Sequence, residues 1–338
     1  MSTEHRWSWI ILRLKRLLPG VGVLCIGAIL ARAIASVTGV TALLVAIALG
    51  AILVNGPGVP DRLLPGLATH NIWLGAGIVL MGASLTLETV REAGLVVLVV
   101  VVAVAVLTIV GIEILSRSVF GLDDKLGSLL AAGAGICGVS AVVAVGGAVR
   151  ARETQIAYAA ATVLLFDAVT LVVYPIAGEL LGLSDVVFGI WAGVSMFSTG
   201  PVVAVGFAYS EVAGQWATLT KLTRNALIGF VVLGYAAYYT RAETEGRLSV
   251  RTLWEEFPTF VLGFIALSIV GSLGILSPAQ LTTIDTAYSW LFSVAFVGLG
   301  TEIDLGKLRN TGIRPVVVVL VSLTIGSVLS LAVLTILF

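Results

Sequence analysis

Charge is what this sequence has least of. Of its 338 residues, 11% are Asp, Glu, Lys or Arg, whereas a soluble domain carries about 25% charged residues. Hydrophobic residues make up 59% of the chain, and the mean hydropathy is +1.11. A soluble fold of this size could not cover itself with so few charges, so the surrounding solvent must be lipid. This excludes a cytosolic enzyme.

Cysteine and net charge exclude further classes. The two cysteines, Cys25 and Cys137, lie in apolar stretches and form no disulfide framework. The formal net charge is 0, so no basic field is available to hold nucleic acid. The motifs H-E-x-x-H, G-x-S-x-G and Walker A are missing. We therefore expect no enzyme, no metal site and no cofactor, unless Na⁺ or H⁺ serves as a coupling ion.

The hydrophobic runs predict an all-α polytopic membrane protein with about eleven transmembrane helices, because each crossing needs about 20 apolar residues. The first run is followed at once by a second, without an A-x-A-like site, so it is not expected to be a cleavable signal. We expect residues 1–338 to form a single transmembrane domain. The predicted spans are 18–37, 40–55, 72–87, 94–116, 127–149, 154–182, 186–209, 214–240, 256–274, 284–301 and 314–337.

The basic residues predict an orientation. Thirteen of them lie in the loops on one side of these spans, against Arg91, Arg150 and Arg152 on the other. Basic loops stay in the cytoplasm, so the prediction is a multi-pass protein of the cell (inner or plasma) membrane with a cytoplasmic N-terminus. The stretch from Trp7 to Leu18 alternates basic and apolar residues, and we expect residues 1–17 to lie in the membrane interface.

Segments 41–100 and 259–318 repeat each other at an offset of 218. The copies lie seven predicted crossings apart and so run in opposite directions, as the inverted repeats of secondary transporters do. The alternative is coincidence in a sequence rich in Ala, Val and Leu. The most informative identical pairs include a charged loop residue: Gly82/Gly300, Leu87/Leu305, Arg91/Arg309 and Gly94/Gly312.

The core segments, 127–240, contain two stretches rich in small and polar residues, 131–148 and 191–208. Glycine and proline expose or break helical backbone, which lipid tolerates only against protein or water. A helix broken at mid-membrane offers free N–H groups to an anion, whereas the alternative is close helix packing. The candidate substrate-binding residues are Gly135, Cys137, Gly138 and Ser140 in the first stretch, and Ser195, Ser198, Thr199 and Gly200 in the second.

These two stretches align with each other at an offset of 60. They are two predicted crossings apart, so they would run parallel if 154–182 crosses the membrane once. Either one of them is re-entrant, or the likeness is convergent composition, and the sequence leaves both alternatives open.

A charge at the centre of a membrane span costs about 2.5–3.5 kcal/mol. Glu113, Glu179 and Glu302 lie near span ends, and Arg32 is expected to snorkel, which leaves three charges to explain. Asp167 is the candidate ion-coupling residue, and the alternative is a protonated carboxyl bonded between helices. Lys221 and Arg224 share one helix face, with Asn225 beside them, and would attract an anion. Snorkelling to the interface is the alternative for both cations, and an ion pair with Asp167 is a third.

At these segments the sequence resembles the YeiH-type family of bacterial and archaeal membrane proteins, to which sulfate export is ascribed. The resemblance covers most of residues 20–230. It implies a place among cation/proton antiporters and anion transporters, with inverted repeats, crossed broken helices, an elevator-like movement and a homodimer. The matching stretches are 74-LGAGIVLMGASLTL-87, 131-AAGAGICGVSAVVAV-145, 156-IAYAAATVLLFDAVTLVVYP-175, 181-LGLSDVVFGIWAG-193 and 219-LTKLTR-224.

The chain departs from this family in one stretch, 197-FSTGPV-202, where many relatives carry a run with His and Asp. Asp167 stands where relatives have an uncharged residue, so the resemblance implies that it replaces the missing ionisable pair. The prediction is a secondary transporter that exports a small anion, sulfate or an organic sulfonate or carboxylate, coupled to H⁺ or Na⁺. The alternatives are a cation/proton antiporter that uses Asp167 and a passive channel.

Overall fold

A computed structural model of the chain describes residues 3–84, 87–240, 259–308 and 312–338, and every regular element in these ranges is helical. A 3₁₀ turn covers 82–84, and π-helical turns cover Leu115–Val119 and Gly133–Cys137. The helices are α1 (Thr3–Thr38), α2 (Ala42–Asn55), α3 (Leu64–Leu67), α4 (His70–Met81), α5 (Leu87–Ile114), α6 (Asp124–Ala132), α7 (Val139–Ala148), α8 (Glu153–Leu180), α9 (Asp185–Ser195), α10 (Thr199–Tyr209), α11 (Glu211–Asn225), α12 (Ile228–Thr240), α13 (Thr259–Ser272), α14 (Pro278–Thr301), α15 (Leu305–Leu308) and α16 (Ile313–Leu337).

Five helical stretches among the described residues are long and apolar enough to cross a membrane. Five further apolar helices, α2, α7, α9, α10 and most of α13, have only 10–17 residues, fewer than the roughly 20 that a bilayer core requires. The all-helical fold and the membrane character are therefore confirmed, while the number of eleven crossings is not. The five stretches are Lys15–Thr38, Leu64–Ser84, Gly94–Val119, Glu153–Leu180 and Ile313–Leu337.

The helices pack as two compact units, each described here by itself. The first unit comprises Met1–Leu85 and Gly263–Gly306, and the second comprises Thr86–Leu262 and Lys307–Phe338. The N-terminal residues predicted to lie in the interface continue without a break into the first span, because α1 is one helix from Thr3. Their interfacial position stays a prediction.

In the first unit, small residues let helix backbones approach closely. A side chain on Gly50 of α2 would meet the Val297 carbonyl of α14, and one on Gly300 would meet the Ile47 carbonyl of α2. The snorkelling expected for Arg32 of α1 is not observed, because its guanidinium is bonded within the unit. Its guanidinium donates to the hydroxyl groups of Ser289 (2.7 Å) and Ser293 (3.2 Å) on α14.

The repeat at an offset of 218 has a structural counterpart in this unit. Gly300 packs against the carbonyl of Ile47 in α2, and the equivalent Gly82 packs against the carbonyl of Phe264 in α13. Positions 41 and 259 match at this offset. The helix α2 begins one residue after position 41, α13 begins at position 259, and each has 14 residues. The inverted repeat itself stays a prediction. Arg309, which the repeat matches to Arg91, lies outside the described residues.

The second unit holds the core segments. Residues 124–148 form a helical hairpin, which we call the first hairpin, because α7 folds back along α6. A side chain on Gly133 would press on Val142, and one on Gly146 would approach Leu129. At its base, Lys125 Nζ donates to the Arg150 carbonyl at 3.3 Å.

Residues 185–209 form the second hairpin. The ring of Phe188 near the start of α9 stacks on the ring of Tyr209 at the end of α10, with centroids 3.8 Å apart. Gly189 of α9 and Gly206 of α10 both pack against Ala213 of α11, so α9 and α10 run side by side in opposite directions. Their 11 residues each span only about 16 Å.

The two hairpins enter the second unit from opposite ends. α8 runs from Glu153, beside the base of the first hairpin, to Leu180, beside the base of the second, a distance of about 42 Å along its axis. Each of the segments 127–149 and 186–209, predicted to cross once, turns back at a break in its own helix. The likeness between them is then compatible with opposite directions, which favours the re-entrant alternative.

The same finding corrects the charge count behind the orientation. Arg150 and Arg152 had been placed on the side opposite Lys125. They lie at the same end, where Arg152 Nη2 is 3.4 Å from Asp123 Oδ2 and Lys125 bonds the Arg150 carbonyl. The cytoplasmic N-terminus stays a prediction.

Candidate functional site at the hairpin tips

The tip of the first hairpin is the glycine-rich sequence 133-GAGICG-138. Gly133–Cys137 form a π-helical turn, and Gly138 then reverses the chain with φ +74°, a left-handed conformation that favours glycine. The helix α7 begins at the next residue, Val139. Its N-terminus, with N–H groups that have no partner within the helix, therefore lies at the tip.

The tip of the second hairpin is an extended break between α9 and α10. Met196 and Ser198 have ψ angles of 156° and 150°, so the helical ladder stops at this point and restarts at Thr199. Pro201 lies in the first turn of α10, where a residue without an N–H costs no helical hydrogen bond. Both hairpins thus present a helix C-terminus and a helix N-terminus at their tips.

The two tips touch each other. A side-chain carbon on Gly138 would overlap the Ser198 side chain, so only glycine allows this approach. The contact joins the two small-residue stretches that the sequence singled out and brings most of the candidate residues together.

Lys221 of α11 is completely buried, with 0% of its surface exposed. Its ammonium group donates to the carbonyls of Ile136 in the first tip (2.8 Å) and Met196 in the second (3.1 Å). A third bond goes to the carbonyl of Phe197. All three ammonium protons have a backbone acceptor, since a lysine carries three donors.

Arg224, one helical turn further and 1% exposed, bonds the same two tips. Nε donates to the Gly135 carbonyl at 2.6 Å. Nη1 donates to Val194 (2.7 Å) and Met196 (2.8 Å), and Nη2 donates to Ala134. The snorkelling alternative is wrong for both cations, because neither side chain reaches the surface.

These contacts assign the two cations to one end of each broken helix. The C-terminus of a helix leaves carbonyls without partners and carries partial negative charge. Lys221 and Arg224 satisfy those carbonyls in both hairpins, and we call this arrangement the cation clamp. The N-termini of α7 and α10 remain at the tips as the ends with partial positive charge.

Polar side chains surround the N-terminus of α10. The carboxylate of Asp167, on α8 and 3% exposed, accepts from the Ser198 backbone N–H at 3.0 Å. Asn225 Nδ2 donates to Thr199 Oγ1 at 3.0 Å. Because its Oγ1 is an acceptor in this bond, the Thr199 hydroxyl keeps its own proton for another partner.

The remaining predicted residues divide into two groups. Ser140, in the first turn of α7, is exposed, and Gly200 and Cys137 are buried at the tips. Ser195 does not join them. Its hydroxyl bonds the Trp191 carbonyl and accepts from Tyr174 OH at 2.9 Å, so it packs the second hairpin against α8.

The sequence reasoning missed the acceptors of the cation clamp, because they are main-chain carbonyls. It also missed Tyr174, whose ring stacks on Trp191 with centroids 4.2 Å apart. The sequence did contain a signal that could have predicted the cation clamp. Two buried cations need several acceptors each, and the breaks in the two glycine-rich stretches are where free carbonyls are expected.

A family profile described as "Conserved hypothetical protein 698" matches residues 16–319. The chain belongs to this family. The match includes both hairpins, α8 and the cation clamp. No solved structure matches the chain.

Relatives of this family are similar over most of their length, and their names describe membrane proteins. A UPF0324 membrane protein of Nitratidesulfovibrio vulgaris is 33% identical over 277 residues, covering 80% of this chain and 77% of the relative. A UPF0324 membrane protein of Bacillus cereus is 31% identical over 316 residues, covering 92% of both. One of Clostridium tetani is 31% identical over 252 residues, covering 71% and 73%. The chain is therefore a membrane protein of this family.

Proposed function

We propose that this protein is a secondary transporter of a small anion, with the anion held where the two hairpin tips meet. Sulfate and an organic sulfonate or carboxylate are the candidate substrates. The N-termini of α7 and α10, with the hydroxyl groups of Ser140, Ser198 and Thr199, form the proposed binding site.

The cation clamp is the observation that carries this proposal. Broken helices can bind cations through their carbonyl ends or anions through their amide ends. Here Lys221 and Arg224 already occupy the carbonyl ends of both hairpins. The backbone N–H groups at the helix N-termini are therefore the groups at the tips that remain available to a ligand.

The charge balance supports an anion as well. Each helix N-terminus carries roughly +0.5 elementary charge and each C-terminus roughly −0.5, so the four helix ends at the tips balance one another, and two buried cations lie beside them. Asp167 is the acidic side chain bonded at this tip among the described residues. A bound anion would offset the remaining positive charge in a medium where unbalanced charge is costly.

A cavity gives one helix N-terminus access to ligand. It has a volume of about 550 Å³ and runs along α7. Ser140 lies on its wall in the first turn of α7, so a solute in the cavity reaches that end of the helix. The lining residues are Val139, Ser140, Val143, Ala144, Gly147, Ala148 and Val232.

Asp167 would couple the anion to a cation. Its carboxylate and the substrate would both use the N-terminus of α10, where Asp167 already accepts from Ser198 N–H. Two negative charges at one site repel each other, so anion binding favours uptake of H⁺ or Na⁺ at Asp167. The clamp ties both hairpins to α11, which supports their movement as one body, as an elevator-like mechanism needs.

The test is flux of radiolabelled sulfate in proteoliposomes, with and without a pH or sodium gradient. Thr199→Val removes one hydroxyl at the proposed site and should weaken anion affinity about tenfold, because a lost hydrogen bond to a charged group costs about 1.5–3 kcal/mol. Thr223→Val is the matched control, since its hydroxyl bonds the Leu219 carbonyl of its own helix at 2.9 Å. Absence of flux for sulfate, sulfonates and carboxylates under every gradient would refute the proposal.

A second candidate is cation/proton antiport, which the buried carboxylate of Asp167 favours. In that case Asp167→Asn abolishes proton movement driven by a cation gradient, and added sulfate changes nothing. In the anion transporter, proton movement instead requires the anion.

A further inference from the structure

A second cavity lies between α5 and α12, at the end of the second unit where the first hairpin has its base. Its volume is about 540 Å³. From Arg117 back to Ile109 it follows two turns of helix, about 12 Å. The lining residues are Ile109, Glu113, Ile114, Arg117, Ser118, Val231, Gly234, Tyr235 and Tyr238.

One end of this cavity is lined by polar side chains that are bonded to one another. Glu113 and Arg117 form an ion pair with Nε and Oε2 2.6 Å apart. Glu113 Oε1 accepts from Tyr235 OH at 2.7 Å, and Arg117 Nη1 donates to Tyr238 OH at 2.9 Å. Because Tyr238 OH accepts this bond, its own proton can be donated to a ligand.

The rest of the cavity is apolar and opens on an exposed surface. Ile114 and Tyr238 on its walls are 54% and 58% exposed, and the neighbouring Phe230 is 70% exposed. A side chain added at Gly234 would meet open space. Two tyrosines and a charged pair at one end of apolar helices are typical of the level where bilayer meets water.

We propose that this cavity binds one acyl chain of a membrane phospholipid, with the headgroup phosphate at Arg117 and Tyr238. In a bilayer the space beside Ile109 and Val231 is reached by lipid tails, and filling it recovers contacts that an empty cavity lacks. The phosphate accepts from the Tyr238 hydroxyl and is attracted by Arg117.

Lys125 strengthens the choice of an anionic headgroup. Its ammonium group lies 6.0 Å from the ring centroid of Tyr239, whose hydroxyl accepts from Arg117 Nη2 at 3.1 Å. Two cations and two carboxylates thus stand at the polar end. Glu113 is paired with Arg117, whereas Asp124 is 3.9 Å from Arg117 and its side chain is 65% exposed, so water screens its charge. An anionic phospholipid should bind more tightly than a zwitterionic one.

The test is lipid binding to the purified full chain, measured by native mass spectrometry with palmitoyl-oleoyl phosphatidylglycerol or phosphatidylethanolamine. Gly234→Leu fills the cavity and should weaken phosphatidylglycerol binding about tenfold or more, since each buried CH₂ contributes about 0.8 kcal/mol. Tyr238→Phe removes the hydroxyl that donates to the phosphate and should weaken binding of both lipids, because both carry the phosphate. Inorganic phosphate alone should not compete.

Matched controls separate the site from general effects of substitution. A side chain at Gly22 of α1 also meets open space, and Tyr158 of α8 is an exposed tyrosine, so Gly22→Leu and Tyr158→Phe should bind lipid like the wild type. Equal lipid binding by Gly234→Leu and Gly22→Leu would overturn the proposal. A change in oligomeric state in Gly234→Leu without a change in bound lipid would also overturn it and indicate a second copy of the chain as the occupant.

Discussion

Replacing Arg224 with Met removes half of the cation clamp while keeping an unbranched apolar side chain of similar reach. The carbonyls of Ala134, Gly135 and Val194 then lose the donor that Arg224 supplies, whereas Met196 keeps Lys221. Each buried carbonyl without a partner costs about 1–3 kcal/mol, which gives about 3–9 kcal/mol for three of them.

Removal of the guanidinium also returns part of that cost, because burying a charge carries a penalty of several kcal/mol. The expected net loss for Arg224→Met is therefore about 3 kcal/mol, at the low end of the range. Thr223→Val on the same helix should change stability by about 0.5 kcal/mol or less, because its hydroxyl bonds only its own helix.

The assay is thermal unfolding of the detergent-solubilised protein, followed by tryptophan fluorescence, with anion binding measured on the same preparations. The cation clamp predicts a clear loss of stability for Arg224→Met in the absence of any anion. A variant as stable as wild type that has lost anion binding would refute the clamp and would make Arg224 a direct ligand of the substrate.

Two further substitutions test the tips. Gly138→Ala should destabilise the protein and abolish transport, because Gly138 has a positive φ and its side chain would overlap Ser198. Gly94→Ala on α5, where a side chain meets open space, should transport normally, and equal activity of the two variants would contradict the contact. Asp167→Asn should leave anion binding intact but make flux independent of the pH or sodium gradient, which proteoliposome flux at several external pH values checks; retained coupling would exclude Asp167 as the coupling residue.

The membrane character was predictable from composition, and the small residues indicated the segments that form the proposed site. A chain with 11% charge has to lie in lipid, and Gly138, Ser198 and Thr199 stand where a helix in lipid is difficult to continue. Lys221 and Arg224 also stood out, because charges in a hydrophobic segment need a reason. The structure brings these residues to one place.

The path of the chain was not predictable, because hydropathy measures how apolar a segment is and not whether it turns back. Residues 127–149 are long enough for one crossing, and the turn at Gly138 depends on a backbone conformation that hydropathy does not register. The role of Lys221 and Arg224 was not predictable from the sequence for a similar reason. Whether Arg224 faces a ligand or a carbonyl depends on contacts between segments far apart in sequence, such as the bond to Gly135.

Side-specific labelling of single cysteines tests most directly that the two hairpins enter from opposite ends. Asp124→Cys and Thr154→Cys each place one exposed thiol at the base of the first hairpin, and Leu181→Cys places one at the base of the second. Each variant is made in a background with Cys25 and Cys137 replaced by Ala. With a membrane-impermeant maleimide on vesicles of both orientations, positions 124 and 154 should label from the same side and 181 from the opposite side. Labelling of 124 and 154 from opposite sides would mean that 127–149 crosses the membrane once and would contradict the hairpin fold.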